Sequence, residues 1–305
     1  MDSFSAGDIL RSIWGFRPAY LLQACVEIGL FDALNDRPRS PAELAHLLRV
    51  DRLYLEKVLA AAAAMGWLEK RGKKFALSEL ARRYFVEESS TSLKYLILHS
   101  GAVAEFWRNL PRILRTGSWE RPARSEEEHR CWILAMDDIA RAGQAQRLVE
   151  SVDLSRCRLL LDLGAGPGSY SIALCRAYPE LKAVLFDLPQ TLRIAREMVR
   201  GSGVENRILF REGSWYDRDY GSGYDVALLS NVLHGPSSRA PMKLKRVFRA
   251  LIPGGMLIVQ DFLLNADKTG PEIPALFNLM VGAFSLPEIS RIIEGAGFTG
   301  VRRVR

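Results

Sequence analysis

Between residues 20 and 140 apolar residues recur at helical spacing, and beyond Leu154 they gather into short continuous runs separated by further helical stretches. In the first region "SPAELAHLLRV" predicts a helix opened by Ser40 as N-cap, Pro41 at the first position and Glu43 closing a capping box. A second helix, "LYLEKVLAAAAAMGW", follows a turn at Asp51, and "WLEKRGKKFAL" predicts a β-hairpin centred on Arg71-Gly72. Helix, turn, helix, hairpin is the winged-helix order. More helices fill the stretch from about Leu93 to Val149. The second region predicts strands near 159–163, 182–187, 207–212, 224–230, 256–262 and 298–304, and helices near 168–178, 189–202, 238–251 and 285–296, the last opened by the capping box "SLPE". Strands alternating with helices give an α/β fold, a Rossmann-like doubly wound sheet that binds ligands at the C-terminal ends of its strands. The expected organisation is a winged-helix domain at 1–92, a helical linker and substrate-wall region at 93–150, and the α/β domain at 151–305.

Composition narrows this picture. The chain has 305 residues, 48% of them hydrophobic, enough for two cores. Its four cysteines, Cys25, Cys131, Cys157 and Cys175, are scattered and suggest neither a disulfide framework nor a zinc site. The N-terminus "MDSFSAGDIL" lacks the basic and apolar regions of a signal peptide, and no apolar run approaches the ~20 residues of a membrane span, so a soluble cytoplasmic protein with no membrane partner is expected. Net charge is +7, with 22 Lys/Arg against 20 Asp/Glu in residues 1–150 and 20 against 15 afterwards. The excess lies in clusters such as "KLKR" (243–246) and the terminal "RRVR", expected to be a solvated helix face and a tail. The second helix of the winged motif offers Tyr54, Leu55, Glu56, Lys57 and then alanines, few donors for a groove, so nucleic acid is not the expected partner.

The chemistry-bearing stretch is "LLLDLGAGPGSY", Leu159 to Tyr170. A glycine loop after the first strand of such a sheet accepts a dinucleotide or S-adenosylmethionine. The dinucleotide fingerprint needs glycine where Ser169 stands; the glycines are Gly164, Gly166 and Gly168. Asp162, two positions earlier, would disfavour a pyrophosphate and tolerate a sulfonium. Asp187, 23 residues after Gly164, ends the second strand in "AVLFDLP", where a carboxylate can accept both ribose hydroxyls or, alternatively, cap the helix that begins at Pro189.

With "FDLP", "RILFREGSWYD", "YDVALLSNVLHG" and "LIPGGMLIVQDFLL", nearly the whole chain resembles the class I S-adenosylmethionine-dependent O-methyltransferases that carry an N-terminal winged-helix dimerisation domain. The resemblance implies a homodimer acting on a small hydroxylated molecule. It implies that Gly164, Gly166 and Gly168 line the methionine end of the cofactor, that Asp162, Asp187 and Leu188 belong to its site, with Asp187 on the ribose, and that Gly213, Ser214 and Trp215 bracket the adenine. Ser230 and Asn231 match the residues beside the sulfonium, His234 the catalytic base, and Asp261 lies near an acid that orients that base. A wall for the acceptor is expected from Phe106, Trp107, Trp132, Met136, Phe277 and Met280, although aromatics at helical spacing are core by default. His46, His99 and His129 are expected to be structural.

Three departures stand out. Ser214 replaces an aspartate that many members carry, Gly235-Pro236 follows His234 where many read Asp-Trp, and "VRRVR" stands about where a last parallel strand is expected to end, before the antiparallel strand that the family usually pairs with it, so that an unprotected sheet edge is expected. The altered segment after His234 keeps open methyl transfer to carbon, or decarboxylation or hydroxylation on the same fold. A winged-helix regulator that senses S-adenosylmethionine is the reading from another class.

Overall fold

The computed structural model describes residues 5–120 and 123–304, and the chain divides into two compact units, Met1–Ala142 and Gly143–Arg305.

The first unit is mostly helical. Helices α1 (Ala6–Trp14), α2 (Phe16–Glu27), α3 (Pro41–Leu48) and α4 (Arg52–Ala64) lead into the hairpin of β1 (Leu68–Arg71) and β2 (Lys74–Leu77), followed by α5 (Glu79–Tyr84), α6 (Lys94–Thr116) and α7 (Glu126–Ile139). The expected caps form: Ser40 N–H donates to Glu43 Oε2 at 2.7 Å, and the Tyr54 amide donates to Asp51 Oδ1 at 2.8 Å. Arg71 faces Lys74 across the hairpin, whose turn passes through Gly72 at φ 61°. Leu55, Leu59 and Ala62 of α4 join Leu30, Phe31, Leu44, Trp67 and Phe85 in one core. By contrast Ile9, Ile13 and Trp14 of α1 and Phe16 of α2 are exposed. Between α6 and α7, buried Asp138 accepts from the Leu96 amide at 2.9 Å and from Arg141 Nη2 at 2.7 Å. Burial still pushes its carboxyl up to about 6.

The second unit begins with α8 (Ala145–Ser151) and then alternates: β3 (Leu159–Leu163), α9 (Ser169–Ala177), β4 (Lys182–Asp187), α10 (Pro189–Val199), β5 (Ile208–Glu212), β6 (Tyr224–Ser230), α11 (Ala240–Ala250) and β7 (Leu251–Gln260). The short β8 (Leu263–Leu264) pairs in parallel with β9 (Phe284–Ser285), with α12 (Glu272–Val281) between them and α13 (Leu286–Gly295) after. The main sheet is parallel, in the order β5-β4-β3-β6-β7. Its central strands β3, β4 and β6 are buried on both faces, which explains their continuous apolar runs, whereas the edge strands β5 and β7 are partly exposed. Leu160, Ala183, Leu185, Val226 and Leu228 pack with α9 and α10, while Leu161, Leu163, Val184, Ala227 and Leu229 pack with α11 and α13. Strand order reverses at β3, so the loops leaving β3 and β6 diverge there and open the crevice in which such sheets bind ligands.

One expectation is corrected and one element was not expected. Residues 298–304 form no strand: Phe298 and Val301 reach the core, but Gly300 at φ 68° interrupts the extended backbone a ladder requires. Helix α12 carried no helical signal, because "EIPALFNLMV" is apolar almost all round.

Candidate functional site

Five strand ends build the site. After β3 the chain turns through Gly164, Gly166 and Gly168, at φ 73°, 56° and 80°. Glycine is required twice over at Gly164, where a Cβ would lie 2.7 Å from Val232 Cγ1 in a backbone conformation that side chains disfavour. The loop is tied to the end of β4: the Gly164 amide donates to the Phe186 carbonyl and the Gly166 amide to Asp187 Oδ2, both at 2.8 Å. Asp162 lies beneath, 1% exposed, accepting from Ser171 Oγ at 2.6 Å. Burial pushes its carboxyl up to about 7, against the Ser171 hydrogen bond.

At the end of β4 the other oxygen of Asp187 accepts the Leu188 amide at 2.7 Å, and Leu188, not Asp187, occupies the N-cap position of α10. Both oxygens of Asp187 thus accept backbone amides, one from the glycine loop and one from the start of α10. The Asp187 carbonyl accepts from Gly213 N–H at 3.0 Å, which draws the segment after β5 alongside. There a Cβ on Gly213 would strike the Phe186 ring, and the Ser214 amide donates to Asp217 Oδ2 at 2.7 Å. A carboxylate is thus present three residues beyond the neutral Ser214. Trp215 follows, partly exposed, its ring covered on one side by Lys243 Nζ at 4.1 Å.

The end of β6 supplies the reactive group. Ser230 stands opposite Gln260 in the sheet, and Asn231 turns the chain at φ 54°, its amide donating to the Gln260 carbonyl at 2.7 Å. Asp261 follows β7 and gathers three partners: Oδ2 accepts the Leu233 amide at 3.0 Å, and Oδ1 accepts the Phe262 amide at 2.8 Å and lies 2.7 Å from His234 Nδ1. Its side chain is 5% exposed and that of His234 24%. An imidazole that donates from Nδ1 to a carboxylate carries its lone pair on Nε2. The loose match between Asp261 and an orienting acid is therefore a direct contact here.

The Gly235-Pro236 departure also has a physical reason. Gly235 takes φ 54°, and a Cβ on it would lie 2.9 Å from Gly282 Cα, so the loop after His234 rests backbone to backbone on the end of α12. From α12 the Phe277 ring stacks on Phe262 (centroids 4.1 Å apart, interplanar angle 14°), and Phe262 stacks more distantly on His234 at 6.3 Å. Met280 lies three residues along the same helix.

Phe106, Trp107, Trp132 and Met136 belong to the first unit. There Phe106 is buried, with Trp107 edge-on to it at 5.4 Å, Trp132 lies beneath the Arg124 guanidinium at 4.3 Å, and Met136 is half-buried.

Three features escaped the sequence reading. Lys243, expected on a solvated face, is 2% exposed; its phase with Ala240, Leu244 and Val247 in α11 was the available signal. Phe262 gave no sign of its stack. Gln260 Nε2 donates to Gln144 Oε1 at 2.8 Å and to the Tyr170 hydroxyl at 3.0 Å, a polar cluster beside Ser230 assembled from residues far apart in the chain. Among the described residues no group of three or more His, Cys, Asp or Glu could hold a metal ion, and no helix is long and apolar enough to cross a membrane.

A glycine loop at the switch point of a parallel sheet, an acid ending the next strand and a carboxylate-held histidine beyond the fourth define an S-adenosylmethionine-dependent methyltransferase. Residues 100–299 match the O-methyltransferase domain and residues 10–87 the O-methyltransferase dimerisation domain, and the chain belongs to that O-methyltransferase family. It is 31% identical to acetylserotonin O-methyltransferase of Bos taurus, over 94% of this chain and 91% of that one. It is 29% identical to 3-hydroxy-5-methyl-1-naphthoate 3-O-methyltransferase of Streptomyces sahachiroi, over 98% and 90%. Among solved structures it resembles human N-acetylserotonin methyltransferase in complex with S-adenosylmethionine, with TM-score 0.87, 25% identity and coverage of 98% and 94%. The family is enzymatic and S-adenosylmethionine-dependent, which displaces the regulator reading.

Proposed function

We propose that the protein moves a methyl group to a hydroxyl of a small aromatic or polyketide-like molecule, with His234 as general base. The observation that carries this reading is the 2.7 Å contact from His234 Nδ1 to Asp261, which leaves Nε2 as the proton acceptor. S-adenosylmethionine, when bound, supplies an electrophilic methyl group. The residues present suit it: Gly164, Gly166 and Gly168 leave room for the methionine end, Asp187 and Leu188 flank the ribose, Gly213, Ser214 and Trp215 flank the adenine, and Ser230 and Asn231 line the sulfonium side. Asp162, enclosed beneath the loop with its carboxyl raised to about 7 by burial, would become a counter-charge if a bound sulfonium favoured its ionised form.

The chain's own part in the chemistry is alignment and proton removal. Alignment contributes up to ~7 to 11 kcal/mol in favourable cases. A phenol of pKa about 10 is mostly protonated at neutral pH, and an imidazole of ordinary pKa about 6.5 is matched to taking its proton. Asp261 keeps Nδ1–H pointed away from the acceptor and stabilises the imidazolium that forms. Phe262 and Phe277 offer flat apolar surface beside the base, suited to a planar ring. The relatives named above act on acetylserotonin and on a hydroxynaphthoate, in keeping with such acceptors. Met280, on the same helix as Phe277, extends this proposed acceptor surface. The exposed apolar residues of α1 and α2 and the matched dimerisation domain support a homodimer.

Incubation of the purified protein with S-adenosylmethionine and a panel of phenols and naphthols tests the reaction. The expected result is one equivalent of S-adenosylhomocysteine for each O-methylated product. Products methylated on carbon, or cofactor turnover with no methylated product, would overturn the oxygen assignment.

A further inference from the structure

Lys243 lies on the inward side of α11 and makes two contacts with its ammonium: Nζ donates to the Val232 carbonyl at 2.8 Å and lies 4.1 Å from the centroid of the Trp215 ring. These partners come from different strand ends. Val232 belongs to the segment after β6 that carries His234, and Trp215 to the segment after β5 that begins at Gly213. The two meet over the glycine loop, where a Cβ placed on Gly164 would be 2.7 Å from Val232 Cγ1 and 3.4 Å from the Trp215 ring. Enclosing a cation is costly, and a methionine would fill the same volume without that desolvation. Burial pulls the ammonium down to about 8, with the charge of Asp261 opposing. The charge thus ties together two groups that come from different strand ends.

We propose that Lys243 is a positioning residue for the nucleoside half of the cofactor: its ammonium pins the Trp215 ring to the Val232 backbone and so sets the width of the cleft above Gly164. It acts through those two groups, and the inference rests on the proposed placement of the adenine against Trp215.

The test is equilibrium binding of S-adenosylhomocysteine, by calorimetry, to the wild type and to the variants Lys243→Met, Lys243→Gln, Trp215→Leu and Lys243→Met with Trp215→Leu. Gln keeps a donor for the Val232 carbonyl but removes the charge over the ring. Lys243→Met and Lys243→Gln are each expected to weaken binding ~5- to 30-fold, with kcat at saturating cofactor within about 3-fold of wild type. The double variant is expected to bind no more weakly than Trp215→Leu alone, because the lysine works through the ring. If Trp215→Leu leaves affinity unchanged, the adenine placement fails and the inference falls with it. If Trp215→Leu weakens binding while both lysine variants match wild type, the adenine placement stands and the inference is overturned. Fully additive losses also overturn it. Lys243→Gln carries the same comparison should Lys243→Met not yield folded protein.

Discussion

The two sides of the site in the second unit are built by different means. The side formed by the ends of β3, β4 and β5 is backbone work: three left-handed glycines, amides donated to Asp187, and the Gly213 amide held by the Asp187 carbonyl. The side formed by the ends of β6 and β7 and by α12 is side-chain work, with Asp261 gathering His234 and its neighbours and Phe262 stacking on Phe277. A surface made of backbone admits one ligand shape, since its donors cannot move. A surface made of apolar side chains on a helix with no buried residue, as α12 is, can change its outline one substitution at a time. The proposed cofactor side is therefore constant in design and the proposed acceptor side adjustable.

Four measurements test this contrast. The largest effect is expected at His234. Replacing it by Ala should lower the methyl-transfer rate by ~10² to 10⁴ while cofactor affinity is kept, and the deficit should shrink as pH approaches the acceptor's own pKa. A rate unchanged across the pH range would return His234 to a structural role. Next, Asp187→Ala should weaken S-adenosylhomocysteine binding by roughly 30-fold to 10³-fold, the loss of charge-assisted hydrogen bonds to two hydroxyls. Unchanged affinity by calorimetry removes Asp187 from the site.

The third measurement concerns Asp162, whose carboxyl is raised from 3.8 to about 7 mainly by burial. The folded state prefers the neutral acid, so the associated stability is fully present below pH 3.8 and lost as pH rises through about 7. A bound sulfonium favours the ionised acid, whereas the uncharged thioether of S-adenosylhomocysteine does not. Affinity for S-adenosylmethionine relative to S-adenosylhomocysteine should then rise by up to ~10-fold between pH 6 and 8, and Asp162→Asn should flatten that dependence. A ratio flat with pH in the wild type would falsify the coupling. The smallest effect is expected at Phe277, where Ala should raise KM for the acceptor about 3- to 10-fold through lost stacking and leave cofactor binding untouched. A matching loss of cofactor affinity would dissolve the distinction between the two sides.

The same contrast decides what the sequence makes legible. Glycines forced into left-handed turns, acids at strand ends and capping boxes at Ser40 and Ser285 are local, and the alternation of strands with helices reveals the sheet. His234 is legible from its place after the fourth strand. Distant partnerships are not: Gln144, Tyr170 and Gln260 lie far apart in the chain, and Phe262 meets Phe277 only through the ladder Leu263–Phe284 that folds α12 back. Lys243 was hidden by its residue type, since a lysine within "KLKR" reads as solvated. The strand expected at 298–304 shows the opposite error, a pattern without the extended backbone it needs.

The contact between Gly235 and Gly282 bears on engineering. Because these two positions meet through backbone alone, the segment from His234 to Arg239 and the helix that ends at Val281 behave as a matched pair of parts. Grafting an acceptor helix from a relative into this chain should succeed only when the graft brings a glycine at its end or carries the companion loop with it. A library that varies α12 while leaving both glycines untouched is expected to explore new acceptors without disturbing His234, the proposed base.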